Sequence, residues 1–191
     1  MSHTTTDQPR RHRLSVADYY RMAEVGILRP DERVELIDGE IIDMPPVGSV
    51  HAGTVDQMAK ILGDALGNQA IVRVQNPISL DDHSEPEPDI ALLRRREDFY
   101  KSSHPTPDDV LLVVEIADSS LLFDRNIKVP LYARHGIVEV WLVDVRAWRL
   151  IRCRNPLRGE YALIDQPDLG TPLQISATPD VHLVLNALRT G

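Results

Sequence analysis

The segment from Val110 to Ala117 constrains the fold of this chain more than any other. It reads Val-Leu-Leu-Val-Val-Glu-Ile-Ala and is apolar except for Glu115. A strand this uniformly apolar suits a sheet covered on both faces, because neither row of its side chains favours water. Asp118, Ser119 and Ser120 follow it, and such residues commonly begin helices. The segment therefore predicts a buried central strand followed by a helix, in an α/β fold.

The helix after this strand is predicted to run to about Arg134, with one irregularity. Pro130 lies inside it, and an interior proline removes a backbone hydrogen bond at a cost of about 3 kcal/mol. The helix should therefore begin late or kink near that residue.

Earlier segments predict a helix, a hairpin and a second helix. Ser15 and Asp18 are suited to capping a short helix that ends at Gly26. Asp38-Gly39 separates two apolar runs and favours a tight type I′ turn between two strands. Apolar residues recur at helical spacing from Val50 to Leu66. The remaining predicted extended segments are 70–75, 78–80, 89–93, 137–144, 148–153 and 161–164.

Composition indicates one folded domain. The 191 residues are 42% hydrophobic, enough for one substantial core, and we expect a single domain over residues 14–191 after a disordered tail at 1–13. No apolar run approaches the ~20 residues that span a bilayer, and no signal peptide is recognisable. The lone cysteine, Cys153, excludes an intramolecular disulfide and a multi-cysteine zinc site. These features predict a cytoplasmic protein.

The net charge of −8 argues against a surface broadly coated for nucleic acid, because Lys and Arg supply most nonspecific affinity for phosphates. Nucleic-acid binding by local clusters of arginine is still compatible with this charge. Each arginine cluster is either a nucleic-acid contact or ordinary solvated charge, and only geometry can decide between these. The clusters are Arg10, Arg11 and Arg13; Arg94, Arg95 and Arg96; and Arg146, Arg149, Arg152, Arg154 and Arg158.

Three residues carry the chemistry that the sequence suggests. Asp89 lies in Pro-Glu-Pro-Asp-Ile-Ala, Glu115 in the central strand, and Lys128 in Asp-Arg-Asn-Ile-Lys. Mg²⁺ prefers hard oxygen ligands and keeps several waters, so two carboxylates can hold it while a phosphate oxygen takes another position. The lysine would then orient or deprotonate the attacking water. The pattern favours metal-dependent cleavage of phosphodiesters.

With these motifs, the hairpin Glu-Leu-Ile-Asp-Gly-Glu-Ile and the strand Gly-Ile-Val-Glu-Val-Trp-Leu-Val-Asp, residues 14 to 150 resemble the family named putative restriction endonuclease (Uma2/DUF820-like). That family belongs to the PD-(D/E)XK nuclease superfamily. The resemblance implies a restriction-endonuclease-like central mixed β-sheet flanked by helices, with an N-terminal helix and β-hairpin. It also implies catalytic roles for Glu35, Asp89, Glu115 and Lys128.

One position departs from the usual motif of that superfamily. Its lysine stands two residues after the second acid, where this chain has Ala117. Members with a displaced lysine carry it on the following helix, which is where Lys128 lies. Tyr132 would lie one turn further along the same face. The same substitution would also be found in an inactive relative, so both readings stay open.

The resemblance implies a DNA endonuclease that uses Mg²⁺, with Mn²⁺ as the alternative metal, and leaves 5′-phosphates. Asp89 and Glu115 would bind the metal and Glu35 would assist. His51 and Gln75, with Tyr132, are secondary candidates. Cutting both strands of DNA requires two active sites, so the resemblance also predicts a homodimer.

Simpler explanations exist for each of these residues. Glu115 could form a structural ion pair, Asp89 could mark an ordinary loop-to-strand transition, and Glu35 could be a solvated hairpin side chain. Lys128 could pair with Asp124 on an exposed helix face, for about 0.2 to 0.5 kcal/mol. His51 and Gln75 could likewise be structural or strand-terminal polar residues.

Two other functions therefore compete with a DNA endonuclease. One is a catalytically inactive module on the same fold that binds nucleic acid or protein. The other is a hydrolase of a different phosphoester. The remaining candidates, which we assign to structure rather than to the site, are His83, His104, His135, Trp141 and Trp148.

Overall fold

The computed structural model describes residues 11–189. Most of the predicted tail, including Arg10, lies outside these residues. Short 3₁₀ turns lie at Gly67–Gln69 and Pro107–Asp109, and another lies at Asn186–Arg189, where the described part of the chain ends. The helices are α1 (Val16–Glu24), α2 (Ser49–Leu66) and α3 (residues 121–134). The strands are β1 (Val34–Ile37), β2 (Glu40–Asp43), β3 (Ile71–Val74), β4 (Ile90–Leu93), β5 (Val110–Ala117), β6 (Glu139–Asp144), β7 (Arg149–Leu157), β8 (Glu160–Asp165), β9 (Leu173–Ile175) and β10 (Thr178–Leu183).

A six-stranded mixed sheet forms the centre of the fold, as predicted. Its strands follow the order β3-β4-β5-β6-β7-β8. Only β5 and β6 pair in parallel, and the other neighbours are antiparallel. The parallel pair requires a crossover connection, which α3 provides. The predicted central strand is fully buried along its length, as its apolar sequence indicated.

The hairpin of β1 and β2 turns at the predicted dipeptide. Asp38 and Gly39 both have positive φ values, 50° and 79°, as a type I′ turn requires. A Cβ on Gly39 would also lie 2.6 Å from the Cβ of Arg13. Glycine is therefore required here both by backbone conformation and by the close approach of the N-terminal segment. The turn fixes which residues of β1 face the sheet.

The first two helices begin and end close to the predicted residues. Ser15 caps α1, and its side chain and that of Asp18 form a capping box. Helix α2 buries an apolar stripe against the sheet and ends at Gly67. These two matches reflect local signals, because capping residues and helical spacing are visible within a few residues of sequence.

Helix α3 differs from the prediction in how it accommodates Pro130. It begins at Leu121 rather than late, and it changes from α-helical to π-helical over Asp124–Lys128 before returning to α-helix over Val129–Arg134. The backbone N–H of Val129 bonds the carbonyl of Asp124, five residues back. The wider turn absorbs the missing donor of Pro130.

Two apolar layers cover the two faces of the sheet. One contains α2 and the segment from Leu169 to Leu188, which includes the hairpin of β9 and β10 that the sequence did not predict. The other contains α3 and the end of β1. Trp141 is fully buried in the first layer, and Trp148 packs at its edge, so both tryptophans are structural as expected. The second layer is interrupted by charged side chains where β4, β5 and α3 meet.

Candidate active site

The register of the sheet brings the two predicted acids together. Strands β4 and β5 pair Ala91 with Val113, so Asp89 and Glu115 lie beside each other and point to the same face of the sheet. The backbone N–H of Asp89 lies 3.4 Å from Oε2 of Glu115. Side-chain alternation along β5 directs Glu115 toward α3. Two neighbouring strands therefore deliver both carboxylates to one point.

Lys128 reaches these acids from α3. Its Nζ lies 2.8 Å from Oε1 of Glu115 and 3.3 Å from Oε2 of Glu35. The residue is only 4% exposed. The alternative of an exposed ion pair with Asp124 is therefore wrong, and the displaced lysine occupies the place that the resemblance implied.

Glu35 completes this ionic group from the N-terminal hairpin. It is 3% exposed, so the alternative of a solvated side chain is wrong. Its Oε2 accepts a hydrogen bond of 3.0 Å from the backbone N–H of Glu87. The contact ties β1 to the segment that leads into Asp89, and it orients the carboxylate toward Lys128.

Asp89 is held by donors from three other elements. The backbone N–H of Ile116 donates to its Oδ2 at 2.8 Å, and Nε2 of His51 lies 3.1 Å from the same atom. The side-chain amide of Gln75 lies 3.3 Å from Oδ1. Gln75 has a left-handed φ of 47°, which turns the chain sharply at the end of β3. The structure thus places both secondary candidates, His51 and Gln75, against Asp89.

Tyr132 contacts the other acid. Its hydroxyl donates a 2.6 Å hydrogen bond to Oε1 of Glu115, the oxygen that also faces Lys128. The prediction that Tyr132 shares a helix face with Lys128 is confirmed. In an α-helix each step of four residues drifts by about 40° around the axis. The wider π turn drifts in the opposite sense, so it keeps Asp124, Lys128 and Tyr132 in line along the site.

The pKa values of the Glu115 group follow from burial and mutual charge. Burial raises the pKa of Glu115 to about 8, and the nearby Lys128 opposes part of that shift. Burial alone would lower the pKa of Lys128, but Glu115, Glu35 and Asp124 outweigh it and raise the pKa above its ordinary value. Lys128 is therefore a firmly protonated cation in this arrangement, suited to orienting an oxygen atom and stabilising negative charge.

Asp89 titrates in the opposite direction. Burial would raise its pKa, but the hydrogen bond and charge of His51, the N–H of Ile116 and the charge of Lys128 together lower it below the ordinary value. The same hydrogen bond raises the pKa of His51. Of the two neighbouring carboxylates, Asp89 is therefore the one that ionises at lower pH, while Glu115 keeps its proton to higher pH.

Two acids that the sequence reasoning did not assign to the site also belong to this group. Burial raises the pKa of Glu87, and the charge of Glu35 adds to the shift. Asp124 is buried, accepts a 2.6 Å hydrogen bond from the Ser120 hydroxyl, and has a pKa raised by burial. A signal existed for each: Glu87 stands between two prolines, and Asp124 precedes Lys128 by four residues.

These side chains line an open cavity of about 310 Å³. Its wall is strongly acidic, which distinguishes it from a surface prepared to bind phosphate directly. Within residues 11–189, the arginines of the clusters at 94–96 and 146–158 do not line it. The seven acids in its wall are Glu35, Asp43, Glu87, Asp89, Glu115, Asp118 and Asp124, and the cations are Arg33 and Lys128, with His51.

The donor set of this cavity fits a magnesium ion. Within the described part of the chain, no group of three or more His, Cys, Asp or Glu side chains is arranged as a ready-made metal cage. Mg²⁺ does not require one, because it is commonly held by one or two carboxylates and completes its shell with water and phosphate oxygens. The adjacent carboxylates of Asp89 and Glu115 provide that minimal set.

Comparison with known proteins identifies the group to which this site belongs. Residues 16–187 match the Uma2 family, described as "Putative restriction endonuclease". The chain belongs to the Uma2 family. The match spans most of the sequence and includes every element that contributes to the cavity, so the predicted resemblance is confirmed.

A solved structure agrees at the level of the fold. The Uma2 chain is similar to the crystal structure of a putative nuclease belonging to DUF820 from Anabaena variabilis ATCC 29413, with a TM-score of 0.69 and 15% sequence identity. The likeness covers 93% of this chain and 98% of the other. No curated protein matches the sequence. In the described residues no helix is long and apolar enough to cross a membrane.

Proposed function

We propose that this Uma2 protein is a Mg²⁺-dependent DNA endonuclease that hydrolyses phosphodiester bonds. The observation that carries the proposal is the convergence of Asp89, Glu115, Glu35 and Lys128, from four different elements, on one cavity. Residues this far apart in sequence meet only because the fold brings them together. Family membership supports nuclease chemistry, and the acid–acid–lysine arrangement supports the metal-dependent route.

Asp89 and Glu115 would hold the metal ion. When bound, Mg²⁺ would polarise the phosphate, lower the pKa of a bound water and offset charge on the leaving oxygen. Mn²⁺ has the same preference for oxygen ligands and would substitute for it. The low pKa of Asp89 keeps this ligand ionised, and the backbone N–H of Ile116 fixes its orientation.

Lys128 would position the attacking water and stabilise charge that develops on the phosphate. Its protonated ammonium, at 2.8 Å from Glu115, is a donor without the capacity to accept a proton in this state. Glu35 holds the ammonium in place from the other side. Tyr132 and His51 orient Glu115 and Asp89, and Gln75 adds a weaker contact to Asp89.

The direct test is cleavage of supercoiled plasmid by the purified protein with Mg²⁺ or Mn²⁺, with EDTA as the metal-free control. The isosteric variants Asp89→Asn and Glu115→Gln, together with Lys128→Met, should each reduce nicking by about 10²-fold or more. Glu160→Gln removes an exposed carboxylate on β8 and should cut like the wild type. Ligation of the products would check for 5′-phosphates.

A second function is favoured by a specific observation. Lys128 is already neutralised by buried acids, position 117 carries alanine, and the cavity wall is acidic. These features also suit an inactive relative that binds nucleic acid or protein through the same fold. DNA binding without metal-dependent cleavage in the plasmid assay would select this function.

The oligomeric state and location remain predictions. Cleavage of both DNA strands calls for two sites, so we expect a homodimer located in the cytoplasm. Light scattering after gel filtration would give the mass in solution. A monomeric protein that nicks only one strand would support the proposed phosphodiester hydrolysis and contradict the predicted homodimer.

A further inference from the structure

The segment that follows β4 presents an aromatic ring to solvent. Phe99 is 65% exposed and has a left-handed φ of 51°, and the next residue, Tyr100, has a φ of 58°. A bulky residue rarely adopts this conformation, because its side chain crowds the backbone. Two in succession cost free energy that the surrounding contacts must offset, and such outliers often mark functional positions.

The contacts that fix this segment are specific. The Arg96 guanidinium lies 4.0 Å from the centre of the Tyr100 ring and forms an ion pair with Asp98. Asp98 in turn accepts hydrogen bonds from the backbone of Tyr100 and from Ser102. These contacts hold Tyr100 inward, where it is buried in the second apolar layer. Phe99 is consequently held outward as part of an ordered turn.

Phe99 forms one wall of a groove at the edge of the sheet. The groove has a volume of about 380 Å³ and is also lined by Asn68, Ala70, Ile71, Arg95, Arg96 and Glu97. Arg95 is exposed and makes no ion pair among residues 11–189. Lys101 is exposed nearby in the sequence. An uncommitted cation beside an exposed ring is the combination that binds a base and its phosphate.

The groove is connected to the proposed catalytic cavity by a single strand. Strand β3 is the outer strand of the sheet and pairs Ile71 with Leu93 and Val74 with Ile90. Its first residue, Ile71, lines the groove, whereas Gln75, directly after its end, lines the cavity. Four residues of extended chain span about 13 Å. One short stretch of nucleic acid can therefore reach both.

The catalytic cavity and the groove differ in charge. The cavity wall contains seven acids against two permanent cations, so it repels the backbone of a nucleic acid until metal binds. Residues 94–101 instead contain three arginines and a lysine against Glu97 and Asp98. In a chain with a net charge of −8, affinity for phosphate has to come from such a local patch.

We propose that this groove binds a single-stranded segment of the nucleic-acid substrate, with a base stacked on Phe99 and a phosphate contacted by Arg95. The proposal rests on the proposed nuclease function and narrows its substrate to nucleic acid that has an unpaired stretch next to the cleaved bond. Stacking requires an unpaired base, because both faces of a paired base are covered in a duplex.

Binding can be tested without catalysis. A fluorescently labelled oligothymidylate of about 12 nucleotides is titrated with the full chain in EDTA, and the dissociation constant is read from anisotropy. Phe99→Ala should weaken binding at least fivefold, and Phe99→Trp should restore it. Arg95→Ala should lower the slope of log K against log salt by about 0.7, the value for one phosphate contact on a single strand.

Matched controls remove equivalent groups elsewhere. Leu163→Ala deletes an exposed apolar side chain on β8, at the opposite edge of the sheet, and Arg158→Ala deletes an exposed cation in the turn before it. Neither control should change the affinity. Equal affinities of Phe99→Ala and Leu163→Ala for the oligonucleotide, or no oligonucleotide binding by the wild type, would overturn the proposal that the groove binds single-stranded nucleic acid.

The outcome is separable from the proposed chemistry. Phe99-dependent binding by a protein that cuts neither plasmid nor a duplex carrying a single-stranded stretch, with Mg²⁺ or Mn²⁺ present, would support the groove and reject the endonuclease. If the protein cuts DNA but its affinity for the oligonucleotide is unchanged by Phe99→Ala, the endonuclease function is supported and binding in the groove is rejected. Because the Phe99 ring is mostly exposed, thermal unfolding of Phe99→Ala should match the wild type, which excludes a folding defect as the cause.

Discussion

Two lysines of this protein stand four residues from an aspartate on a helix, yet their surroundings differ completely. Lys60 forms a 2.6 Å ion pair with Asp64 on the exposed face of α2. Lys128 has Asp124 at the same spacing but is buried, and it pairs instead with Glu115 and Glu35. Spacing along a helix therefore does not determine the partner of a lysine. The strands against which the helix packs determine it.

The comparison also shows how burial changes what a charge contributes. Water screens the Lys60 pair, and such exposed pairs contribute less than about 1 kcal/mol. Lys128 and its acids are removed from water, so each charge depends on the others for compensation. Four substitutions would break or sharpen this contrast.

The largest effect should come from Lys128→Met. The change leaves Glu115 and Glu35 buried without their cation, and it should lower the free energy of unfolding by about 3 kcal/mol or more at pH 8. The pKa of Glu115 is already raised to about 8 and would rise further. A folded-state pKa above the unfolded value near 4.5 means that stability declines as pH increases from about 4.5.

Urea titrations of this variant and the wild type between pH 5 and pH 9, in EDTA, would measure that trend. The deficit of Lys128→Met should be smaller at pH 5, where Glu115 can take up a proton, and should grow toward pH 9. A deficit that stays constant with pH would contradict the assignment of Glu115 as the uncompensated group.

The next effect should come from Tyr132→Phe, which removes the hydroxyl that donates to Glu115. A hydrogen bond to a charged group contributes about 1.5 to 3 kcal/mol, so we expect a loss of about 2 kcal/mol above pH 8, where Glu115 is ionised, and slower plasmid nicking. Tyr161→Phe is the matched control, since that buried hydroxyl donates to the carbonyl of Ile137, away from the cavity. It should destabilise the protein without slowing cleavage. Equal loss of cleavage in both variants would reduce Tyr132 to a stabilising role.

Pro130→Ala should reveal what the π turn contributes. Restoring a backbone donor allows α3 to become α-helical throughout, which would shift Lys128 relative to Glu115 by part of a turn. We expect about a tenfold lower kcat for cleavage with little change in KM, because small displacements of catalytic groups are costly. Unfolding should be unchanged or slightly harder. An unaltered kcat would show that tertiary packing, rather than Pro130, maintains the π turn.

Lys60→Met should have the smallest effect. The exposed pair with Asp64 on α2 contributes about 0.2 to 0.5 kcal/mol, so the free energy of unfolding should change by no more than that, at any pH between 5 and 9. High salt should remove even this difference. A loss comparable to that of Lys128→Met would contradict the distinction drawn between the two helices.

Much of this fold was predictable because its signals are local or strongly apolar. The capping box at Ser15, the Asp38-Gly39 turn and the apolar run of β5 each specify their own structure. The hairpin of β9 and β10 was not predicted, since β9 is only three residues long, β10 contains Pro179, and both strands are stabilised by distant contacts. Glu139 in β6 makes one of these distant contacts. Its side chain is fully buried and accepts hydrogen bonds from the indole N–H of Trp141 and from the backbone N–H of Ser176.

The site divides in the same way. Asp89 and Glu115 stood out because an acid within or opening a buried strand needs a partner. Lys128 was selected for the chemistry of two acids and a lysine, and the resemblance supplied its place beside them, since nothing in its own segment shows that it is buried. Glu87 and Asp124 were missed because their proximity to the cavity depends on how a loop and a helix fold back onto the sheet. Pro130 predicted an irregularity in α3, but nothing in the sequence specifies that it takes the form of the π turn that aligns Asp124, Lys128 and Tyr132.

The parallel pairing of β5 and β6 has a consequence for how the protein acquires its site. Lys128 lies on the crossover helix between these strands, and its partner Glu35 comes from the N-terminal hairpin. Contacts between residues so distant in sequence form late, since closing large loops is entropically expensive. The ionic group of Lys128, Glu115 and Glu35 should therefore assemble late in folding, after the strands that position it have paired.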